Sequence, residues 1–125
     1  MKAVEGKTLD DTYSDAPWGS WQVLDDADNY KVKRVTVKPG NRLSYQKHFK
    51  REEFWMIVQG EAEVTLEGNV RKLKPGESIF IPKEAAHRIA NNQNNTENMI
   101  FIEIQRGEYF GEDDITRLED DYGRV

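Results

Sequence analysis

Two histidines, one glutamine and one glutamate form the pattern in this sequence with the clearest chemical meaning. Gln46 and His48 lie two residues apart in a strand-like segment, so both side chains leave the same face. Glu53 follows after a short connection, and His87 lies in a later strand-like segment just after Pro82. One amide, two imidazoles and one carboxylate suit Zn, Mn, Fe, Co or Ni. A lone strand histidine is more often a hydrogen-bonded polar residue, and this is the alternative.

The elements that must position these side chains are short β-strands. Apolar residues alternate with polar ones over four to eight positions, and turn pairs such as Pro39-Gly40 and Pro75-Gly76 separate the runs. An all-β barrel or sandwich is therefore expected, with one short helix over 112–120. The predicted strands are Trp21–Leu24, Tyr30–Val37, Leu43–His48, Phe54–Val58, Ala62–Leu66, Val70–Leu73, Ser78–Ile81, His87–Ala90 and Met99–Ile104.

Length and composition fit a single globular domain. The chain has 125 residues, of which 37% are hydrophobic and 33% are charged. We expect a barrel core at about 17–106 and a docking tail at 107–125. No apolar run is long enough for a membrane helix or a secretion signal, which predicts a cytoplasmic protein with no membrane partner. The absence of cysteine excludes disulfides, thiolate metal sites and a cysteine nucleophile.

Charge is distributed unevenly along the chain, whose net charge is -5. Residues 31–51 contain eight Lys or Arg and no Asp or Glu, whereas residues 111–125 contain six Asp or Glu and two Arg. A nucleic-acid-binding domain usually has a basic balance over a whole face, so the basic segment favours a small anion instead. Ordinary solvated surface charges are the alternative.

The spacing within residues 40–60 and 76–91 resembles the two motifs of the cupin superfamily. The first motif, G(X)5HXH(X)3,4E(X)6G, is matched with Gln46 in place of its first histidine. The second, G(X)5PXG(X)2H(X)3N, is matched with Glu84 in place of its middle glycine. The resemblance implies a small jelly-roll-like β-barrel of two antiparallel sheets with one metal ion in its mouth. The metal ligands that it implies are Gln46, His48, Glu53 and His87.

Nearly the whole chain is similar to the C-terminal domain of type II mannose-6-phosphate isomerases, which usually follows a mannose-1-phosphate guanylyltransferase domain. The matching segments are Pro17-Trp18-Gly19-Ser20, residues 30–48, and the C-terminal segments GEDDITR (111–117) and EDDYGR (119–124). It implies a stand-alone isomerase that interconverts mannose 6-phosphate and fructose 6-phosphate through an enediol. It also implies one divalent metal ion held by one Gln, two His and one Glu, with zinc as the first candidate for that metal.

An isomerase of this kind needs a general base and fixed cations for the phosphate. Lys50, beside the ligands, and Glu103, on a late strand, are the candidates for the base, and Arg51 is a further candidate catalytic residue. The phosphate candidates by motif are Arg51, Arg88, Arg117 and Arg124. For each arginine the alternative is a surface ion pair.

Four positions depart from the family pattern and define the main alternative function. Ala16 replaces an arginine, and Phe49, Lys50 and Phe54 replace histidines. If the missing histidines transfer protons, the chain is instead a non-catalytic, metal-containing cupin that binds a sugar phosphate or a nucleotide sugar. A small metal-dependent oxygenase is a second alternative. In each case we expect a homodimer, since cupins commonly pair through their sheets.

Overall fold

The computed structural model describes residues 12–111 and 113–124, and this part of the chain is built from β-strands. All nine predicted strands are present, so the predicted all-β fold is confirmed. None of the described residues belongs to a helix long and apolar enough to span a membrane. The strands are β1 (Tyr13–Ala16), β2 (Gly19–Asp26), β3 (Tyr30–Val37), β4 (Tyr45–Lys47), β5 (Arg51–Gln59), β6 (Ala62–Leu66), β7 (Asn69–Leu73), β8 (Ser78–Ile81), β9 (His87–Ala90), β10 (Met99–Gly107) and β11 (Thr116–Glu119).

The strands form two antiparallel sheets that enclose one core. The six-stranded sheet has the order β1-β2-β3-β10-β5-β8, and the five-stranded sheet has the order β11-β4-β9-β6-β7. Ile57 and Phe101 of the first sheet and Val64 and Ile89 of the second are fully buried in the same apolar cluster. Burial of this apolar surface is the main stabilising contribution to the barrel.

Strand β5 shows how alternation in the sequence sets the two faces of a sheet. Trp55 and Ile57 are buried, whereas Phe54, Met56 and Val58 are exposed. The turns that separate the strands also follow the sequence: Gly40 and Gly76 have φ of 76° and 90°, a left-handed conformation that glycine adopts without steric cost. Local sequence thus sets both the faces and the reversals of the chain.

The predicted C-terminal helix over 112–120 is wrong. Thr116–Glu119 form strand β11, which pairs with β4 so that Arg117 lies opposite Gln46; Glu112 lies outside the described residues. The edge of β4 offers backbone hydrogen-bonding groups that a short helix could not satisfy, and tertiary pairing therefore overrides the weak local preference. Tyr122 packs against the core, whereas Leu118 is 43% exposed.

Candidate metal centre

Three of the four ligands implied by the motifs meet inside the barrel. His48, Glu53 and His87 are all buried, and one potential ligand atom from each lies within 4.8 Å of the other two. His48 Nε2 is 3.4 Å from Glu53 Oε2, and the two imidazole rings have centroids 5.3 Å apart. His48 lies in the loop after β4, Glu53 on β5 and His87 on β9. The fold therefore brings together residues that are up to 39 positions apart in sequence.

Both histidines are oriented by backbone carbonyl groups. His48 Nδ1 lies 2.7 Å from the carbonyl oxygen of Asp114, and His87 Nδ1 lies 2.9 Å from that of Ala85. A carbonyl oxygen only accepts, so each Nδ1 carries the proton and each Nε2 keeps a lone pair. His87 Nε2 is buried and has no hydrogen-bond partner among the described residues. A buried acceptor of this kind fits a metal ion.

The Glu53 carboxylate is held by two donors. Trp55 Nε1 donates to Oε1 at 2.9 Å, and Arg51 Nε donates to Oε2 at 2.9 Å. Arg51 also places Nη2 3.2 Å from His48 Nε2, so its guanidinium lies beside two of the three potential ligands. The three potential ligand atoms, His48 Nε2, Glu53 Oε2 and His87 Nε2, are all acceptors. A cation is a partner that all three can share.

The ionisation of these groups suits metal binding. Burial lowers the pKa of His48, which keeps the imidazole neutral. Burial by itself raises the pKa of Glu53, but the neighbouring Arg51 cation reverses this and holds the pKa well below its usual range. A neutral imidazole and an ionised carboxylate are the forms that coordinate a metal.

Gln46 lies next to this group on strand β4. It is directly opposite His87 in the β4–β9 pair, so the two side chains leave the same face of the sheet. Gln46 also lines the cavity described below. Gln46, the fourth ligand that the motif implies, therefore lies on the same face as His87 and at the cavity.

A cavity of about 270 Å³ lies between the two sheets, and Glu53 of the three potential ligands lines it. Glu53 and Arg51 line it from β5, Arg117 from β11, Trp18 from the turn between β1 and β2, and Trp21 from β2. Most of the lining residues are polar or charged, and two tryptophans contribute aromatic surface. The remaining lining residues are Ser14, Asp15, Ala16, Pro17, Lys33, Val35, Leu43, Ser44, Gln46, Glu103, Gln105, Ile115 and Arg124.

Two polar residues of β10 form part of the cavity wall. Gln105 Nε2 donates to Glu103 Oε1 at 2.6 Å, whereas Gln105 Oε1 is buried and has no hydrogen-bond partner in the described part of the chain. Burial, together with the nearby Glu53, raises the pKa of Glu103 to about 8. Sequence reasoning missed Gln105, although its spacing from Phe101 and Glu103 marks it as an inward-facing polar residue.

The candidate catalytic residues occupy different places. Arg51 and Glu103 line the cavity, whereas Lys50 is not one of the residues described as lining it. The Lys50 ammonium instead lies 5.0 Å from the centre of the Tyr109 ring. The structure therefore brings two of these three residues to the cavity.

The candidate phosphate-binding arginines also divide. Arg117 lines the cavity, and its Nε is buried without a hydrogen-bond partner within the described ranges. Arg124 lines the cavity too, but it is tied to Asp120 by bonds of 2.8 and 3.0 Å. Arg88 donates to the Leu43 carbonyl at 2.9 Å and is 3.3 Å from Glu119. Arg117 is thus the arginine with an unused donor at the cavity.

Known proteins similar to this chain agree with the cupin architecture. The family model described as mannose-6-phosphate isomerase C-terminal matches residues 5–120. A solved cupin-2 domain from Rhodospirillum rubrum superposes with a TM-score of 0.65 and 20% identity, over 76% of this chain and 67% of that one. The cupin-like barrel implied by the motifs is therefore confirmed.

Two curated relatives are larger proteins. Mannose-1-phosphate guanylyltransferase of Escherichia coli is 45% identical over 109 residues, which are 87% of this chain and 22% of the relative. Alginate biosynthesis protein AlgA of Pseudomonas aeruginosa is 46% identical over 109 residues, which are 87% of this chain and 22% of that relative. This chain spans about a fifth of the length of these relatives.

These relatives correct the expected isomerase function. The expectation that this chain is a mannose-6-phosphate isomerase is wrong. The chain matches only about a fifth of the length of each relative, and the Escherichia coli relative is named for guanylyl transfer. Such a partial match carries no isomerase activity to the chain. It favours the alternative, a related cupin domain without that activity.

Proposed function

Since the chain belongs to the mannose-6-phosphate isomerase C-terminal family, we propose that it is a metal-containing cupin domain that binds a phosphorylated sugar without converting it. The observation that carries this proposal is Arg117 Nε, which is buried at the same cavity as Glu53 and Gln46 and has no hydrogen-bond partner among the described residues. A cation donor and a metal site on one cavity suit a ligand that has both a phosphate and hydroxyl groups.

The metal would be held by Gln46, His48, Glu53 and His87. Nitrogen and oxygen ligands without thiolate suit zinc, manganese, iron, cobalt or nickel, and we propose zinc first because the family resemblance implies it. A bound divalent ion would supply positive charge that attracts the oxygen atoms of a ligand. Arg51 and Trp55 hold the Glu53 carboxylate in place, and we assign them this positioning role.

One observation favours binding without turnover. The ammonium of Lys50, a candidate base, lies 5.0 Å from the centre of the Tyr109 ring, and Lys50 is not one of the residues described as lining the cavity. The other candidate base, Glu103, lines the cavity and accepts a hydrogen bond from Gln105 Nε2 at 2.6 Å. Phe54, at a position where the family pattern has histidine, is exposed on the outer face of β5, so this substitution does not bear on chemistry at the cavity.

The size of the cavity favours a hexose phosphate over a nucleotide sugar. At about 270 Å³ it lies near the lower end of the range for small-molecule sites. By analogy with the relatives, a phosphorylated mannose used in polysaccharide biosynthesis is the class of ligand that we propose.

Calorimetric titration of the metal-loaded protein tests this function. We expect mannose 6-phosphate to bind more tightly than mannose or GDP-mannose, and to bind more weakly after chelation of the metal. NMR spectra of the same mixture should show no fructose 6-phosphate. Formation of that product, or equal affinity for mannose and its phosphate, would contradict the proposal.

We further propose that two copies of the chain pair through the outer face of the six-stranded sheet. Exposed apolar side chains form a continuous group there: Ile104 lies opposite Phe54, which lies opposite Phe80, and Met56 is on the same face. Outward faces of antiparallel sheets are usually polar, so this face is suited to an interface. The neighbouring Glu52–Arg106 pair, 3.6 Å apart, has both charge signs, which a two-fold copy can complement.

Light scattering after gel filtration tests the pairing. The protein should elute as a dimer, and Phe54→Glu should elute as a monomer that still binds metal. Val70→Glu, at a 59% exposed position on β7, is the matched control and should remain dimeric. A monomeric wild-type protein at high concentration would contradict this interface.

A further inference from the structure

Gln105 combines complete burial with an unused acceptor at the cavity. It lies on β10 between β3 and β5, opposite Lys31 and Glu53, and is 1% exposed. Its Oε1 has no hydrogen-bond partner among the described residues, and the side chain lines the cavity. Buried amide oxygens are normally paired, so an unpaired one at a cavity marks a place where a ligand donor fits.

The contact with Glu103 sets which amide atom is unused. Gln105 Nε2 donates to Glu103 Oε1 at 2.6 Å. An amide nitrogen donates and an amide oxygen only accepts, so this bond directs Oε1 away from Glu103. A hydroxyl group is a small neutral donor, so the amide oxygen can accept a hydrogen bond from it without bringing a charge into the cavity.

The second unpaired group at the cavity has the opposite character. Arg117 comes from β11 of the five-stranded sheet, and its buried Nε is a donor without a partner in the described chain. One wall of the cavity therefore requires a donor from the ligand, and the other wall requires an acceptor. A polyol phosphate has both.

From this juxtaposition we propose that Gln105 determines specificity by accepting a hydrogen bond from one sugar hydroxyl, while Arg117 binds the phosphate. The proposal rests on the sugar-phosphate function above and gives the ligand a direction, with its hydroxyl groups toward the six-stranded sheet. A site that pairs a buried group with a ligand hydroxyl discriminates strongly against the analogue that lacks it, since the buried group is then left unpaired.

The first experiment measures binding of mannose 6-phosphate to the metal-loaded Gln105→Met variant by calorimetric titration. Methionine has a similar length but no strong acceptor, so the affinity should fall by about tenfold to a hundredfold. Binding of inorganic phosphate should not change. Gln22→Met is the matched control, because Gln22 is a buried amide of the same sheet that is not one of the cavity-lining residues. Its affinity for mannose 6-phosphate should equal that of the wild type.

The second experiment uses monodeoxy derivatives of mannose 6-phosphate. One derivative should bind the wild type about tenfold or more weakly, whereas Gln105→Met should bind that derivative and the parent equally. A merely structural role for Gln105 would weaken all of the ligands alike. If Gln105→Met does not fold, Gln105→Asn, which withdraws the amide by one carbon, should show the same loss of discrimination.

Three results have distinct meanings. Wild-type affinity of the Gln105→Met variant for mannose 6-phosphate would overturn the assignment of Gln105. An equal loss for sugar phosphate and inorganic phosphate would overturn it as well. Failure of the wild type to bind any sugar phosphate would instead reject the proposed function, and the assignment with it.

Discussion

The interior of the barrel has an apolar end and a polar end, although the same three strands build both. At one end Val35, Phe101 and Ile57 lie opposite one another across β3, β10 and β5, and all three are buried. Four residues further along β10, the inward position is Gln105, which lies opposite Glu53. Burial of apolar side chains stabilises the fold, whereas burial of polar ones costs free energy unless each is paired.

The difference separates stability from binding along single strands. Paired residues between the two ends, such as Lys33 opposite Glu103, mark the change from apolar to polar. The polar end keeps three buried groups without partners in the described chain, Gln105 Oε1, Arg117 Nε and His87 Nε2. Gln105 and Arg117 line the cavity, and His87 belongs to the candidate metal centre. Functional sites commonly retain such unfavourable features, which the apolar end offsets.

The largest expected effect is on the apolar end. Phe101→Ala removes a fully buried ring from the core and should lower the free energy of unfolding by about 3–5 kcal/mol. Urea denaturation measures this loss. Elemental analysis below the unfolding transition should still find one metal ion per chain; loss of the metal from the folded variant would show that the two ends are not separable.

A change at the polar end should affect metal binding more than stability. His87→Ala removes one ligand and should weaken metal binding more than a hundredfold, at least about 2.7 kcal/mol. The metal-free variant should lose less stability than Phe101→Ala, because the unpaired Nε2 is itself unfavourable in the native state. Equilibrium dialysis with zinc and urea denaturation measure the two quantities. Full metal occupancy in the variant would reject the proposed ligand set.

The next effect concerns the phosphate end of the cavity. Arg117→Met should reduce the preference for mannose 6-phosphate over mannose by about tenfold, or about 1.4 kcal/mol, because it removes a charge-assisted donor. Calorimetric titration with both sugars gives the ratio. Arg106→Met is the control, since Arg106 is 72% exposed and is not one of the cavity-lining residues. An equal loss for the two sugars would assign Arg117 to folding instead.

The smallest effect is a gain in stability from backbone strain near the polar end. Glu84 has φ of 67°, which is unfavourable for any residue with a Cβ, and its backbone N–H donates to the His48 carbonyl at 2.7 Å. Glu84→Gly should therefore stabilise the protein by about 0.5–1 kcal/mol, as measured by urea denaturation.

Glu67, with φ of 48°, is the matched control for the strain prediction. Its Oε1 accepts a hydrogen bond from the Ala86 backbone N–H at 2.9 Å, so Glu67→Gly loses a contact as it relieves strain. Little or no gain is expected for this variant. If Glu84→Gly destabilised the protein, the left-handed conformation would not be a source of strain.

Much of the fold and part of the site were predictable from local patterns. Alternation with a period of two placed β2–β10, and turn glycines such as Gly40 placed the reversals. The glycine in the family motif at position 84 has a physical reason in the positive φ found there. The resemblance to the cupin motifs implied His48, Glu53 and His87 as ligands, and the structure brings these three residues together.

The structure, by contrast, was needed for every relation that depends on distant partners. Residues 116–119 form a strand because β4 offers them an edge, and Arg88 is removed from the cavity because Leu43 and Glu119 bind it. Local sequence encodes the face on which a side chain lies and where the chain turns. Which buried groups are paired depends on contacts between residues far apart in sequence, and only the assembled barrel decides that Arg117 and Gln105 keep unused atoms at the cavity.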